Sequence, residues 1–500
     1  MLGYAAILWL LDRVEAPRPL RSAFFRGWLA GAAYFTVSTW WIGEAFFVDA
    51  KDQAWMAPFA VAGMAGGLAL FWGAAAALYR VLAPAGQLRL LVFAGAFAGA
   101  EWLRGHVLTG FPWDLPGETW RAGSDPSQMA SVVGAYGLTW LTLAIAAAPG
   151  LGIATRPARI AIGLAAAALA GLYGFGAGRL SLAQTTPDPG APIVRVVQPD
   201  TPELASYDAA AFANVLKRNL DLTRQSPAPG GRAPNVIVWS EAGLPDALED
   251  YLAPGTSTSA QIVAALTPGQ TLITGGYRAE PAAPGVYAPD GLVYHNSLVA
   301  LSRTATGLAI AGLYDKYRLV PFGEYLPLDR ELAPLGVKQL VHLGQGFTPG
   351  PAPHPIFPPG VPAVQPLICY ESLFPGFTND AARRAGRRPD WIVNISDDAW
   401  FGVTSGPWQH LNLASYRAIE EGLPMVRATP TGISAIIDAY GRTLPGKRLG
   451  QGVYGAIDAP LPPSLPSTPF EVWGGWIFVA MVLISLASSR PNRRSTLPPQ

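Results

Sequence analysis

Residues 363–371, AVQPLICYE, decide the fold of this 500-residue chain, because a short apolar run ends there in a cysteine and a glutamate. The apolar run predicts a buried strand, and residues 371–383 predict a helix that follows it. A thiol at such a strand-to-helix turn lies at the edge of a sheet, where the N-terminal end of the helix favours the thiolate. Cys369 is therefore a candidate nucleophile, although a lone cysteine is more often a small buried side chain.

Two other predicted strands end in charged side chains of the kinds that a thiol nucleophile needs. Glu241 follows the apolar run at residues 236–239, and Lys316 follows the run at residues 308–313. A thiol needs a base that takes its proton and a cation that stabilises the oxyanion formed by its attack. We therefore predict that Glu241, Lys316 and Cys369 meet at the ends of three strands of one sheet. Taken singly, the two charged residues would be read more simply as solvated loop residues or members of a surface ion pair.

The composition of the chain separates a membrane part from a globular part. Half of the residues are hydrophobic and only 14% are charged, against about 25% charged in an average soluble protein. Long apolar stretches fill residues 1–182 and predict about six membrane spans, and residues 470–488 predict one more. Between them, residues 183–469 alternate short β-branched runs with helical patterns, which is typical of an α/β layered domain. Residues 489–500 form a polar tail.

The positions of the arginines predict how the chain is oriented in the membrane. Clear spans are predicted near residues 25–47, 55–82, 88–102, 130–151, 160–180 and 472–486, with a shorter apolar stretch at 2–11. Arginines concentrate in alternate loops and in the C-terminal tail, so these are predicted to face the cytoplasm and residues 183–469 to lie outside it. The same count places the first residue outside, which suggests a missing preceding helix or a misassigned start.

The sequence gives no support to several other classes of function. A net charge of +1 gives no indication of nucleic-acid binding, and a single cysteine excludes an intramolecular disulfide. Metal-binding, nucleotide-binding and serine-hydrolase motifs are absent from the sequence, so we predict neither a metal nor a cofactor. His295 and His410 are isolated and are predicted to be hydrogen-bonding core or loop residues. A monomer is the default expectation.

The order of Glu241, Lys316 and Cys369 resembles the Glu-Lys-Cys triad of the nitrilase, or carbon–nitrogen hydrolase, superfamily. Longer motifs resemble the apolipoprotein N-acyltransferases of bacterial envelopes. These motifs are DKYRLVPFGEY at 315–325, CYESLFP at 369–375, DAWFG at 398–402, TGISA at 431–435, and EWLR at 101–104 with TGFPW at 109–113. The chain departs from the family pattern at Arg318, where the family usually has histidine, and at Pro430, where it has asparagine.

The resemblance implies an α-β-β-α sandwich domain on a polytopic α-helical membrane bundle in the bacterial inner membrane, with the sandwich in the periplasm. It implies acyl transfer from the sn-1 position of a phospholipid, through a Cys369 thioester, to the α-amino group of a diacylglyceryl-cysteine at the N-terminus of a lipoprotein. In this scheme Glu241 is the general base and Lys316 stabilises the oxyanion. Supporting roles fall to Glu324, which orients Lys316, to Tyr370 and Glu371, which shape the thioester pocket, and to Asn296.

Two other functions remain compatible with the triad residues. A membrane-tethered amidase or nitrilase would hydrolyse a small amide, release the acid to water, and have no need of the lipid-facing loop at residues 110–113. A polytopic transporter or scaffold with an inactive domain would need neither an intact triad nor the surrounding motifs. Few charges interrupt the apolar spans, which argues against a transport path. The acyltransferase is therefore the favoured prediction.

Overall fold

The computed structural model describes residues 2–14, 17–184, 186–204, 207–244, 247–253, 255–284, 288, 290–328 and 346–489. The chain divides into two compact units. The helical unit consists of Met1–Gly43, Trp55–Leu182 and Thr468–Gln500, and the α/β unit consists of Glu44–Ala54 and Ala183–Ser467.

Helices occur in both units and are numbered in chain order. They are α1 (Leu2–Asp12), α2 (Pro19–Thr39), α3 (Ala50–Gln53), α4 (Ala57–Leu82), α5 (Arg89–Arg104), α6 (Ala130–Ala147), α7 (Arg156–Ser181), α8 (Ala209–Thr223), α9 (Leu248–Leu252), α10 (Ser257–Ala265), α11 (Phe377–Ala385), α12 (Gly406–Glu421), α13 (Pro469–Trp473) and α14 (Trp476–Ala487). The strands are β1 (Ile193–Gln198), β2 (Val236–Val238), β3 (Thr271–Pro281), β4 (Leu292–Arg303), β5 (Leu308–Asp315), β6 (Val364–Ile368), β7 (Trp391–Ile395), β8 (Met425–Ala428), β9 (Ser434–Ile437), β10 (Thr443–Leu449) and β11 (Gly455–Pro460).

The helical unit has the character of a membrane bundle. Within the described residues, three helical stretches are long and apolar enough to cross a membrane, Ala50–Leu82, Pro126–Leu151 and Arg156–Ser181, and two shorter apolar helices are Leu2–Asp12 and Trp476–Ala487. The span predicted at residues 25–47 begins earlier in the structure and is not one continuous α-helix. There α2 starts at Pro19, whose missing N–H suits the first turn of a helix, and a 3₁₀ helix takes over from α2 at Trp40.

Small residues allow α2 and α4 to approach closely. A Cβ atom added to Gly27 would lie 2.5 Å from the carbonyl oxygen of Trp72 and from the Cβ of Ala76. In lipid, where the hydrophobic effect does not drive helices together, such close backbone contact is a main source of helix association. The interface therefore depends on glycine at this position.

A buried ion pair lies in the described part of the helical unit. Glu101 and Arg104, one turn apart on α5, are 0% and 1% exposed and form an ion pair. The indole of Trp72 donates to Glu101 Oε1 at 2.5 Å, and Arg104 donates to the carbonyl oxygen of Phe111. The two charges therefore satisfy each other, and Arg104 also holds the backbone of the TGFPW motif at Phe111.

The described part of the α/β unit contains two sheets that face each other. One sheet has the strand order β11-β1-β2-β3-β4-β5, and the other has the order β10-β9-β8-β7-β6. A single apolar cluster joins side chains from the inner faces of both sheets, among them Val194, Val238, Leu298, Ile368, Val393 and Val426. A second cluster packs α8, α9 and α10 on the outer face of the first sheet. The α-β-β-α sandwich that the resemblance implied is confirmed.

Strand β6, which carries the opening motif, is an edge strand. It pairs in parallel with β7, with Leu367 opposite Asn394, and β7 is its only neighbour among the described strands. On its other side Val364 makes an isolated antiparallel bridge with Ile356. All of its residues are buried, as expected for a strand of a covered parallel sheet. Pro366 lacks an N–H and is tolerated because an edge strand needs hydrogen bonds on one side only. The apolar run 363–368 therefore ends at a sheet edge with Cys369 as the next residue.

Candidate active site

Cys369 occupies a strained position directly after β6. Its φ is +48°, in the left-handed region that non-glycine residues rarely adopt. Residues Cys369–Leu373 form a 3₁₀ helix, and α11 begins only at Phe377. The single helix predicted at 371–383 is therefore wrong, because Pro375 cannot continue a helix and Gly376 has a left-handed φ of 80°.

Glu241 and Lys316 lie near Cys369 but follow strands of the other sheet. Glu241 follows β2, and Lys316 follows β5. The ammonium of Lys316 donates to Glu241 Oε1 at 3.0 Å. The charge of Glu241 raises the pKa of the Cys369 thiol, and the charge of Lys316 lowers it. The prediction that the three residues follow strands of one sheet is corrected, since Cys369 comes from the second sheet. The sandwich brings the C-terminal edges of β2, β5 and β6 together.

Glu324 and Asn296 complete the surroundings of Lys316. The ammonium of Lys316 also donates to Glu324 Oε1 at 2.8 Å. The side-chain amide of Asn296 donates to Glu241 Oε1 and to Glu324 Oε1, both at 2.7 Å. Glu324 Oε2 accepts from the backbone N–H of Val320 at 2.7 Å, which fixes this carboxylate in its own turn. One ammonium and one amide thus hold two carboxylates in place.

The charge of Lys316 is preserved although its side chain is only 1% exposed. Burial lowers the pKa of the ammonium, but the carboxylates of Glu241 and Glu324 more than offset this, so that pKa lies well above its ordinary value. Lys316 is therefore a fixed cation at neutral pH, which is the property that an oxyanion partner needs.

The thiol of Cys369 rests in its protonated form. Burial raises its pKa, and the negative charge of Glu241 raises it further, while Lys316 lowers it by less. The expectation that a helix N-terminus favours the thiolate is wrong here, because only a short 3₁₀ turn follows and the thiol lies in a desolvated site. Such a thiol needs a base at the moment of attack, and Glu241 is close enough to raise its pKa.

Glu371 connects the cysteine turn to the lysine loop. Its side chain is 0% exposed. Oε2 accepts from the backbone N–H of Ile368 at 2.9 Å, whereas Oε1 accepts from the Tyr314 hydroxyl at 2.7 Å and from the N–H of Tyr317 at 2.8 Å. A third contact to Oε1 comes from the N–H of Arg318 at 3.2 Å. The carboxylate thereby fixes the distance between Cys369 and Lys316.

Replacing Glu371 with glutamine is expected to lower the free energy of unfolding by about 1–3 kcal/mol, because one acceptor oxygen becomes an NH₂ group that faces buried donors. Denaturant unfolding followed by tryptophan fluorescence measures the change. Glu280→Gln is the matched control, since the Glu280 side chain is 45% exposed. Its effect is expected to stay within about 0.5 kcal/mol. Equal losses in the two variants would contradict the role given to Glu371.

Tyr370 lies beside the nucleophile in a packed position. It is 5% exposed, and its ring meets that of Phe374 edge to face at a centroid distance of 5.2 Å. Arg318, one of the departures from the family pattern, places its guanidinium 4.7 Å from the centroid of the same Phe374 ring. The Phe374 ring therefore contacts both Tyr370 and Arg318.

The sequence did not reveal two further carboxylates near the triad. Glu203 and Asp397 are hydrogen-bonded to each other. Burial raises the pKa of both groups, and the negative charge of Glu241 raises it further. They belong to loops that follow β1 and β7, strands of different sheets, so no local pattern could have paired them. A hydrogen-bonded pair of carboxyl groups with raised pKa values therefore lies near Glu241.

A buried polar network behind Cys369 also escaped the sequence reasoning. Arg427, Asp398 and His410 are each at most 1% exposed. Arg427 pairs with Asp398 at 2.7 Å, and Asp398 pairs with His410 Nδ1 at 2.9 Å. The DAWFG motif contained Asp398 but gave no indication of its partners. His410 is a hydrogen-bonded core residue, as predicted. In the part of the chain that the structure describes, no group of three or more His, Cys, Asp or Glu side chains could hold a metal ion.

Comparisons with known proteins agree on the family of both parts of the chain. Residues 1–148 match the family model for the apolipoprotein N-acyltransferase N-terminal domain, and residues 193–462 match the model for carbon–nitrogen hydrolases. The chain is 55% identical to the apolipoprotein N-acyltransferase of Caulobacter vibrioides over 97% of this chain and 89% of that protein. It is 41% identical to the apolipoprotein N-acyltransferase of Bradyrhizobium diazoefficiens over 99% of this chain and 90% of that protein.

Among solved structures, an amidase from Nesterenkonia sp. is similar to 59% of this chain over 98% of its own length, with 15% identity and a TM-score of 0.35.

Proposed function

The chain belongs to the apolipoprotein N-acyltransferase family, and from that premise we propose how three of its side chains acylate the N-terminal cysteine of a lipoprotein. The chain is a membrane-associated acyltransferase that acts on lipoproteins. The observation that carries the proposed chemistry is the buried ammonium of Lys316, which lies 3.0 Å from Glu241 and acts on the Cys369 thiol.

In the first half-reaction the Glu241 carboxylate takes the proton of the Cys369 thiol. The thiolate attacks the carbonyl carbon of the sn-1 ester of a phospholipid. The ammonium of Lys316, together with the backbone N–H that follows Cys369, stabilises the negative charge on the carbonyl oxygen. The tetrahedral intermediate collapses, the C–O ester bond breaks, and the leaving alkoxide takes the proton from Glu241. Lysophospholipid departs and a Cys369 thioester remains.

In the second half-reaction the neutral α-amino group of the diacylglyceryl-cysteine attacks the thioester. Glu241 takes a proton from this amine, the C–S bond breaks, and the proton returns to the thiolate. An amide forms and the thiol is restored.

The supporting residues act through these three. Glu324 and Asn296 hold Lys316 and Glu241 in position through contacts of 2.7–2.8 Å. Glu371 shapes the thioester pocket by joining the cysteine turn to the lysine loop, and Tyr370 contributes its packed ring to the same pocket. We assign no metal and no cofactor to the reaction.

We also propose that the chain spans the bacterial inner membrane several times, with residues 183–469 in the periplasm and residues 489–500 in the cytoplasm. The alternation of arginine-rich loops supports this orientation. A reporter that is active only in the periplasm, fused after residue 467, is expected to be active in cells. Activity of a cytoplasmic reporter at that position would overturn the orientation.

Intact mass of the full-length protein tests the mechanism. The protein is incubated with a phospholipid that carries different acyl chains at sn-1 and sn-2. We expect a mass gain equal to the sn-1 chain, release of the adduct by hydroxylamine, and its transfer to an added diacylated lipopeptide. A gain equal to the sn-2 chain would overturn the donor position. A stable adduct that no lipopeptide removes would overturn the transfer step, and hydrolysis of a small amide without any adduct would favour the amidase.

A further inference from the structure

The nucleophile is held in an unfavourable backbone conformation by side chains that the mechanism above does not use. A non-glycine residue in the left-handed region costs of the order of 1–3 kcal/mol and persists only where the surrounding structure enforces it. Cys369 has a φ of +48°. The carbonyl oxygen of Leu367 accepts a hydrogen bond from the side chain of Asn394, and that of Cys369 accepts one from Ser372; both donors are buried.

The first of these contacts fixes the strand just before the nucleophile. The side-chain amide of Asn394 on β7 donates to the carbonyl oxygen of Leu367 at 2.9 Å. Asn394 is itself held by Arg427 on β8, whose guanidinium donates to its side-chain oxygen. Both residues are 0% exposed. A chain of buried hydrogen bonds thus runs across three neighbouring strands to the end of β6.

The second contact fixes the nucleophile itself. Arg427 also donates to both oxygens of Asp398 at 2.9 and 2.7 Å, and Asp398 Oδ1 lies 2.9 Å from His410 Nδ1. His410 Nε2 lies 3.3 Å from the carbonyl oxygen of Cys369 and 3.1 Å from the hydroxyl of Ser372. That hydroxyl donates to the Cys369 carbonyl at 2.8 Å.

The protonation states agree with this geometry. Burial raises the pKa of Asp398, but its contacts with Arg427 and His410 bring it down to about 2, so this group is a carboxylate. It therefore accepts the proton of His410 Nδ1, which fixes the orientation of the ring. Burial and the positive charge of Arg427 lower the pKa of His410, so the imidazole is neutral and its Nε2 is an acceptor. The single proton of the Ser372 hydroxyl thus lies between this nitrogen and the Cys369 carbonyl. Buried networks of this kind are rigid when every member is paired.

We propose that His410 is a positioning residue, which acts through Ser372 and the Cys369 carbonyl to hold the nucleophile in the left-handed turn from which its sulfur faces Glu241 and Lys316. Arg427 supports both contacts to the cysteine turn, because it donates to Asp398, which holds His410, and to Asn394, which holds the Leu367 carbonyl. The inference rests on the proposed function, since it assumes that Cys369 is the nucleophile.

Because the chain contains a single cysteine, alkylation by iodoacetamide reports the accessibility and reactivity of Cys369 alone. Two variants of His410 test the contacts of its two ring nitrogens separately. Asparagine at 410 can place its amide where Nδ1 lies and so keep the contact to Asp398, whereas glutamine can reach the position of Nε2. His354→Asn is the control for loss of a partly buried imidazole, since the ring nitrogens of His354 face the carbonyl oxygens of Ala352 and Leu313 and its ring packs against Tyr314.

We expect H410N to slow both alkylation and acyl-adduct formation by about 10²-fold, the cost typical of a reacting atom displaced by about 1 Å. The KM for phospholipid is expected to stay unchanged while kcat falls. H410Q is expected to recover most of the lost rate, and H354N is expected to behave as wild type. Wild-type rates in H410N, or equal losses in H410N and H410Q, would overturn the proposal.

Ser372→Ala provides a second test in case substitutions at 410 do not fold. It removes the hydroxyl that donates to the Cys369 carbonyl and is expected to slow alkylation in the same way. A folded S372A protein with wild-type alkylation would overturn the proposal. Failure of the wild-type protein to form any acyl adduct would instead refute the proposed function, while the order of alkylation rates would still test the positioning role.

Discussion

Replacing Cys369 with alanine is expected to abolish the acyl adduct and to lower N-acylation of a diacylated lipopeptide by at least about 10⁴-fold, the scale of losing a covalent nucleophile. Without the sulfur no thioester forms, and the remaining pair of Glu241 and Lys316 cannot store an acyl group between the two substrates. Turnover by the purified protein, followed by mass spectrometry of the lipopeptide, measures the loss.

Two further measurements, one on C369A and one on C369S, separate a loss of chemistry from a loss of folding. The thermal unfolding temperature of C369A is expected to stay near that of wild type, because alanine is no bulkier than cysteine and is no more strained at a φ of +48°. Cys369→Ser keeps a nucleophilic atom in place, yet its hydroxyl is harder to deprotonate than a thiol, so a strong loss is expected there too. Transfer by C369A at more than a small fraction of the wild-type rate would exclude a covalent route through this residue.

Replacing Glu241 with glutamine is expected to lower the rate of acyl-adduct formation by about 10²–10⁴-fold, the usual contribution of a general base. Glutamine keeps the shape of the side chain and one acceptor oxygen for Lys316 and Asn296, so the loss reports proton transfer more than packing. Glu249→Gln is a control in the same unit, because Glu249 accepts a hydrogen bond from the backbone N–H of Ala279 and lies outside the site.

The raised pKa of Cys369 gives E241Q a distinct pH dependence. In the wild type the base removes the proton during attack. In E241Q the rate depends on the fraction of thiolate present beforehand, and burial keeps the pKa of the thiol above its ordinary value. Below that pKa the thiolate fraction rises tenfold for each pH unit, so the residual rate is expected to rise with pH along a slope of about one. A flat profile for E241Q would argue that Glu241 is not the base.

The catalytic residues could be found in the sequence because each follows a strand with a clear apolar pattern. The runs at 236–239, 308–313 and 363–368 form strands β2, β5 and β6, of which β2 and β6 are fully buried, and the side chains after them are of the types that acyl transfer needs. Asn296 and Glu324 came from the family resemblance, and the structure places both within 2.7–2.8 Å of the triad carboxylate or ammonium.

The residues behind the nucleophile could not be found in this way. Asp398, His410 and Arg427 belong to three different elements and meet only because β7 and β8 are neighbours in one sheet and α12 contacts the cysteine turn. Each carries a charge or ring whose ordinary interpretation is a surface or core residue. Their pairing depends on contacts over 12 to 29 positions of sequence, which no local period encodes.

The sequence by itself determined the kinds of structure and chemistry in this chain. Apolar stretches at 1–182 and 470–488 require a membrane-type bundle, short β-branched runs require sheets, and the order of Glu241, Lys316 and Cys369 indicates acyl transfer by a thiol. Only the tertiary structure decided that two sheets, rather than one, supply the triad, because strand ends from separate sheets meet only when the sheets pack face to face. It also decided the protonation of the thiol, since burial and the nearby Glu241 charge outweigh the local effect of a short helical turn.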